Sequence, residues 1–234
     1  MLACFYIVGF VGAWIVAAVY WRSQYLFPGS EDLLNPLHLA VVTYCSVNIL
    51  ICIWEIALWV HQDRVIELYN IYKKKLAKGN LPNPLFLFTD ISFFDAFGLR
   101  FWADVWGTYS LLDVSYSQPG SFGYNADVGN GFSTLVPTIL TLITVSNPNM
   151  IKPYGVSVRM MGFFLAWSHW QAMYGTFVYF FQYIHRDRYK DHNTSFSQFV
   201  FLVCGSNGLW ILGPSCCLYA CAWMVEHNSI QGLF

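Results

Sequence analysis

Apolar positions in this chain come in long unbroken runs, not in the period-two alternation of a half-buried strand. Five runs are long enough to cross a bilayer, which takes about 20 apolar residues. They are Leu2–Tyr20, Leu37–Val60, Val128–Ser146, Met160–Tyr183 and Phe199–Val225. The pattern changes between the second and third runs. Residues 61–127 form a connection too long to be structureless in a compact protein. Within it, Asp63 to Lys78 reads as a charged amphipathic helix ending before the Leu81-Pro82-Asn83-Pro84 stop. A second amphipathic stretch, Phe86 to Leu112, carries Asp90, Asp95, Arg100 and Asp104 among Phe and Trp. That many charges argues against a sixth span, so both stretches are expected to lie in the membrane interface, with aromatic anchors at headgroup depth. The expected fold is all-α: a polytopic integral membrane bundle of about five transmembrane helices with interfacial amphipathic helices, forming one membrane domain over 1–234.

Composition strengthens this picture. The chain is 56% hydrophobic, 19% aromatic and only 11% charged, against roughly 25% charged residues in an ordinary soluble domain. A net charge of −1 offers nothing to nucleic acid. With five spans, Arg64, Lys73, Lys74, Lys75, Lys78, Arg100, Arg186, Arg188 and Lys190 share one side, and only Arg22, Lys152 and Arg159 face the other. That bias places the N-terminus on the cytoplasmic side, or its equivalent, and the C-terminus across the membrane. The formal sequon Asn193-Thr194-Ser195 then falls on the wrong side for glycosylation. The first run has no basic leader and ends in Tyr20-Trp21-Arg22, so it reads as a retained span rather than a cleaved signal. Seven cysteines sit in or at the apolar runs without CxxC or Cys/His spacing. They read as small polarizable packing residues, and neither a metal nor a cofactor is expected.

Polar groups at bilayer depth are costly and mark either a site or a structural network. In the second run, Tyr44, Asn48, Cys52, Glu55 and Trp59 recur at helical spacing and share a face. A carboxyl such as Glu55, several residues inside the run, could hold a proton, deliver one or neutralise a cationic ligand. Its structural alternative is a snorkelling or assembly role near the helix end. The third run carries Asp127, Asn130, Thr134, Thr138 and Thr141. A helix-capping role for Asp127 stands beside a functional one, and Pro137 should bend the helix. In the fourth run Ser168, Gln171, Gly175, Tyr179 and Gln182 form a face. The last run has Asn207, Trp210 and Pro214 among glycines that permit close helix contact.

Converging, these faces would line one cavity with Glu55, Asp127, Asn130, Gln171, Tyr174, Asn207 and Trp210, with Asn48 nearby. Aromatic walls stabilise positive charge, and a carboxyl can trade a proton with an alkene. Such a lining suits carbocation chemistry on a flat apolar molecule, and equally the simple binding of a sterol, a carotenoid or a quinone.

The segment Gln171-Ala172-Met173-Tyr174-Gly175 with Tyr179-Phe180, followed by Asn207-Gly208-Leu209-Trp210 and Pro214, resembles the end of the emopamil-binding protein, or EXPERA-domain, family. That family includes the sterol Δ8–Δ7 isomerase and the sigma-2 receptor. Trp106-Gly107-Thr108-Tyr109-Ser110-Leu111-Leu112-Asp113 looks like the segment between its second and third main spans. The likeness is specific over Trp167–Leu218, loose over Trp102–Pro137 and close to absent before residue 40. It implies a five-helix-type fold around a sterol-sized pocket in which Asn207 and Trp210, with carboxylates of earlier helices, engage a cationic centre. Glu55 corresponds to the second-span Glu and Asp127 to the third-span carboxylate, with Asn130 fitting that position almost as well. The chain departs from the pattern in two ways. The Gln-Tyr segment is one residue longer, and the His expected one turn before Glu55 is Ile51, with His38 and His61 too far along the helix to replace it.

Three readings follow. One is a non-catalytic membrane component that binds a lipid or pigment, or packs as an accessory subunit of a larger membrane complex. Another is a sterol or isoprenoid double-bond isomerase, with Glu55 delivering the proton, Asp127 serving the cation, and Asn207 and Trp210 orienting it. The third is a membrane-bound terpene cyclase, for which only Trp54-Glu55 speaks. The expected partners are a membrane lipid, sterol or other isoprenoid and, in the accessory reading, other membrane subunits. The expected location is the endoplasmic reticulum or an organelle inner membrane.

Overall fold

A computed structural model describes residues 2–26, 31–77, 89–187 and 204–234. The protein is an all-α membrane bundle without strands among these residues. Its helices are α1 (Ala3–Tyr25), α2 (Pro36–Val60), α3 (Gln62–Ala77), α4 (Phe93–Ala96), α5 (Leu99–Tyr109), α6 (Phe122–Ser146), α7 (Val158–His185) and α8 (Gly205–His227). Short 3-10 turns punctuate the connections, including Val114–Ser117 between α5 and α6.

Four described helices have both the length and the apolarity to cross a membrane: α1, α2, α6 and Asn207–His227 of α8. The fourth expected span falls in α7, whose 28 residues reach roughly 42 Å at 1.5 Å per residue. Its length suffices, but Ser168, His169, Gln171 and Gln182 make it more polar than the others. The expected third span begins earlier than Val128, at Phe122. Residues 199–203 of the expected last span, the sequon at 193–195, Lys78 and the 81–84 helix stop lie outside the described residues.

Local chemistry explains where the helices begin. Pro36 opens α2 in the first-turn position suited to it, and the Asn35 side chain accepts from Leu37 N (2.9 Å) and His38 N (3.3 Å). Ser121 Oγ accepts from Tyr124 N at 3.2 Å at the start of α6. Ser157 Oγ does the same for Met160 N in α7, at 3.2 Å. In α3, Asp63 stands in the first turn and Lys74 and Lys75 in the last, each sign complementing the helix dipole.

By its contacts the chain divides into two compact units. The first comprises Met1–Val8, Ile51–Phe132 and Gly175–Gly208; the second comprises Gly9–Leu50, Ser133–Tyr174 and Leu209–Phe234. The core of the first unit gathers Ala57, Leu58, Val65, Trp102, Ala103, Trp106, Tyr116 and Tyr124. Here α3 packs on α5. Arg64 forms a two-pronged ion pair with Asp104, its Nη2 2.7 Å from Oδ2, and Gly107 lets the Leu68 side chain approach. The expectation of interfacial aromatic anchors is therefore corrected for two tryptophans. Trp102 and Trp106 are buried and donate their indole N–H groups to Ala96 O (2.8 Å) and Trp54 O (2.7 Å). Phe93, Phe94 and Phe97 do face outward, at 60%, 86% and 72% exposure.

The core of the second unit is Ile151, Val158, Met161, Leu165, Cys221, Met224 and Ile230. It admits close helix approach at Gly162, where an added Cβ would meet Cys221 O and Met224 Cβ at 3.0 Å. Arg22, a flanking charge by sequence, is buried there with its guanidinium 5.4 Å from the Phe234 ring centre. None of the seven cysteines forms a disulfide among the described residues. Many large apolar side chains on the long helices point outward, among them Phe5, Val16, Phe132, Phe163, Trp167 and Phe181. On a membrane protein these are the side chains that hydrocarbon covers.

Candidate functional site

The first unit holds a buried cluster of carboxyls and phenols. Its scaffold is a close approach of α6 to α2. A Cβ at Gly131 would sit 2.8 Å from Glu55 Cβ, 3.1 Å from Cys52 O and 3.2 Å from Ile56 N. Only glycine lets the helices meet this closely. Asp127, one turn before Gly131, projects from the same helix face and interacts electrostatically with Glu55. The two carboxyls expected to carry the chemistry are therefore brought together.

Their surroundings differ. Tyr116, on the 3-10 turn after α5, donates its hydroxyl to Asp127. Burial first, and the nearby Asp127 second, hold the Tyr116 phenol protonated well beyond the ordinary tyrosine range. Glu55 is buried, and its Oε2 has no hydrogen-bond partner among the described residues. Buried polar atoms are almost always partnered by protein or by ordered water, so this oxygen marks a place where something polar belongs. Beside it, Trp54 stacks on Trp102 with ring centres 5.1 Å apart.

The cluster continues behind Tyr116. The rings of Tyr109 and Tyr116 lie 5.3 Å apart, and Asn207 Nδ2 approaches the Tyr109 hydroxyl at 3.4 Å. Asp113 caps the 3-10 turn by accepting from Ser115 N at 2.9 Å. Its other oxygen accepts from the Tyr179 hydroxyl of α7 at 2.9 Å, and the Tyr183 hydroxyl donates to Leu112 O at 3.2 Å. A crevice too tight for a water molecule lies here, lined by Asp113, Ser115, Gly123, Tyr179, Gln182 and Tyr183.

Comparison with models of protein families, with curated proteins and with solved structures finds no match.

The other candidate residues fall in two places. Asn130 and Asn207 belong to the first unit, with Glu55 and Asp127; Asn48, Gln171, Tyr174 and Trp210 belong to the second. Asn130 is half-buried one turn after Asp127. In the second unit Asn48 Nδ2 donates to Thr138 Oγ1 at 2.8 Å, and Gln171 Nε2 donates to Ser133 Oγ at 2.8 Å. Trp210 is half-buried. Tyr174 is 57% exposed and stacks on Trp170. The polar stripe of α6 continues as Thr134, Thr138 and Thr141, all buried, with Thr141 Oγ1 2.8 Å from His169 Nε2.

Capping is settled against Asp127. Ser121 performs it, and Asp127 lies in the second turn of α6. Reading the sequence missed Tyr116 altogether. Tyr109 and Asp113 were visible only within a family-like segment, and Tyr179 within another such segment and as one member of a helix face. An Asp three residues before a Tyr, between an amphipathic helix and an apolar span, is the signal that could have pointed to the turn.

Proposed function

We propose that the protein binds a sterol- or isoprenoid-sized lipid in the membrane, with the Glu55–Asp127 pair as the polar end of the site. The observation that carries this is the adjacency of two carboxyls where α2 and α6 approach, Glu55 buried and Asp127 half-buried. Out of water, two such groups are neutralised most cheaply by a shared proton or by one cation. A cationic or strongly hydrogen-bonding feature on an apolar ligand serves that need, and the unpartnered Glu55 Oε2 is where it would dock. The resemblance of the C-terminal third to the EXPERA family supports the same ligand class, with Asn207 as a family-like residue reaching the cluster through Tyr109. On this reading the protein acts as a lipid- or pigment-binding component, or as an accessory subunit of a larger complex, in the endoplasmic reticulum or an organelle inner membrane.

The test is binding of a lipophilic tertiary amine and of its neutral isostere to detergent-purified protein. The amine should bind more tightly, and Glu55→Gln and Asp127→Asn should each weaken it by about tenfold, roughly 1.4 kcal/mol. Equal affinity for amine and isostere, unchanged by both variants, refutes the site. Fixed-stoichiometry co-purification with a large assembly would favour the accessory role.

A second reading, a sterol double-bond isomerase, is favoured by the unequal settings of the two carboxyls. Asp127 receives the Tyr116 hydrogen bond, whereas Glu55 presents a free oxygen, so one group can give a proton while the other faces the resulting cation. Incubation with a Δ8 sterol should then move the double bond, and Glu55→Gln should abolish the shift. Absence of turnover alongside tight amine binding removes catalysis and keeps the pocket.

A further inference from the structure

Polar groups left open at the middle of a span need covering in a way that apolar ones do not. In the second unit, Gln171 Nε2 of α7 donates to Ser133 Oγ of α6 at 2.8 Å. Ser133 sits at the middle of the 25-residue α6, a helix long and apolar enough to cross the membrane. The hydrogen bond therefore fixes the depth of Gln171, itself at the middle of the 28-residue α7. Trp170 is its neighbour in sequence, and Tyr174 follows one turn later. Both are open, Trp170 at 52% and Tyr174 at 57%, and Ser133 is exposed as well. The Trp170 and Tyr174 rings stack with centres 6.2 Å apart. Neither the indole N–H nor the phenol hydroxyl has a hydrogen-bond partner among the described residues.

Hydrocarbon offers these groups nothing. From mid-bilayer the headgroups are about 15 Å away, half of a core about 30 Å thick, beyond the reach of either side chain. Tryptophan and tyrosine ordinarily sit in belts at the two interfaces, where the polar tip stays wet. Val136 and Leu212 of the same unit are exposed at 59% and 71%, but their side chains hold no polar atom and lipid suits them. At Trp170 and Tyr174 the donors need acceptors, and at this depth only another embedded molecule brings them.

We propose that this patch is the contact through which two copies of the chain associate in the membrane. Every copy inserts with the same orientation, so the two-fold axis lies along the membrane normal and groups of equal depth meet. At that depth the patch is complementary to itself. It carries two donors, Trp170 N–H and Tyr174 O–H, and within one turn it carries the Ser133 hydroxyl and the Gln171 amide. Oxygens of both kinds hold two lone pairs, so Ser133 Oγ, which accepts from Gln171, accepts a second bond from the other copy. The stacked rings add a flat face, and packing together with interhelical hydrogen bonds is what holds helices to one another in lipid. A different protein would need an acceptor placed at this one depth; a second copy brings it by symmetry.

Energy transfer between donor- and acceptor-labelled copies of the full chain in liposomes tests this without any ligand, so the outcome is independent of amine binding. The dependence on labelling ratio counts the copies, and a series of lipid-to-protein ratios yields the dissociation constant. Wild type should report two copies. Tyr174→Phe removes only the hydroxyl and Trp170→Phe the indole N–H; each should raise the dissociation constant about three- to tenfold. Val136→Ala, an exposed apolar change, should leave it unaltered. Melting in detergent, at dilutions where the chain is monomeric, should match wild type in both aromatic variants because the removed atoms are exposed. Lower monomer melting in those variants would place the two donors in bonds within the chain and overturn the proposal. A chain that is monomeric at every dilution overturns it too, as does a dimer that both variants leave equally tight. Tyr174-dependent co-purification of another membrane protein with a monomeric chain would assign the patch to that partner and refute self-association.

Discussion

Gly131 and Gly129 lie two residues apart on α6 and offer a controlled test of how the carboxyl site is built. Alanine at Gly131 places its Cβ 2.8 Å from Glu55 Cβ, where carbon atoms prefer about 3.5–4.0 Å. Two further neighbours, Cys52 O at 3.1 Å and Ile56 N at 3.2 Å, are backbone atoms and cannot swing aside. Relief therefore requires α6 to retreat from α2, and overpacking of this kind costs about 1–3 kcal/mol. Alanine at Gly129 meets nothing within 4 Å. Both substitutions gain the same helix propensity, at most about 1 kcal/mol, so the difference between them isolates the steric cost. Thermal unfolding in detergent reads it. At about 2–4 °C per kcal/mol for a chain of this size, Gly131→Ala should melt several degrees below Gly129→Ala. It should also weaken amine binding, because Asp127 moves with the helix. A Gly131→Ala protein as stable as Gly129→Ala would mean that α2 and α6 do not meet there, and the reasoning about the pair would fall with it.

Other consequences follow from particular contacts. Ser121→Ala should lower stability by about 0.5–2 kcal/mol through loss of the α6 cap, while Asp127→Asn should show no capping loss in the same melting assay. A double-mutant cycle on Arg64 and Asp104, side chains 29% and 18% exposed, should return a coupling of about 0.5–1 kcal/mol that shrinks in salt; a salt-independent or absent coupling would contradict the pairing. Trp106→Phe should cost about 1 kcal/mol for the hydrogen bond to Trp54 O, read as a lower denaturation midpoint. The buried Tyr116 phenol ionises later in the folded protein than the ordinary 10.0. The unfolded state then loses its proton first, and stability falls as pH rises past about 10. Tyr116→Phe should flatten that alkaline slope in a melting series.

The long helices were legible because their apolar runs are local properties of the chain, readable without knowing what lies beside them. Length and hydropathy place α1, α2 and α6 directly. For α7 they yield the run while hiding how far Ser168, His169 and Gln171 dilute it. The amphipathic character of α3 and α5 was equally plain, since charge and aromatic positions alternate with the helical period. The fate of their aromatic residues was not. Trp102 and Trp106 look like interface anchors by composition, and only packing against α2 and α3 turns them into core. Phe93, Phe94 and Phe97 look the same in sequence and stay outside.

For the site, the chain by itself determined that Glu55 and Asp127 are costly residues inside apolar helices, each in need of a partner. It could not say that they partner one another. Spacing along one helix decides which residues share a face, but adjacency across helices depends on how closely two backbones approach. Here that is set by the missing side chain of Gly131, a residue with no chemistry of its own. Tyr116 reaches Asp127 because a short turn, pinned by Asp113, aims it there. The sequence determined which groups are too polar for the membrane; the tertiary structure decided which of them meet, because only packing converts separate helical faces into one neighbourhood.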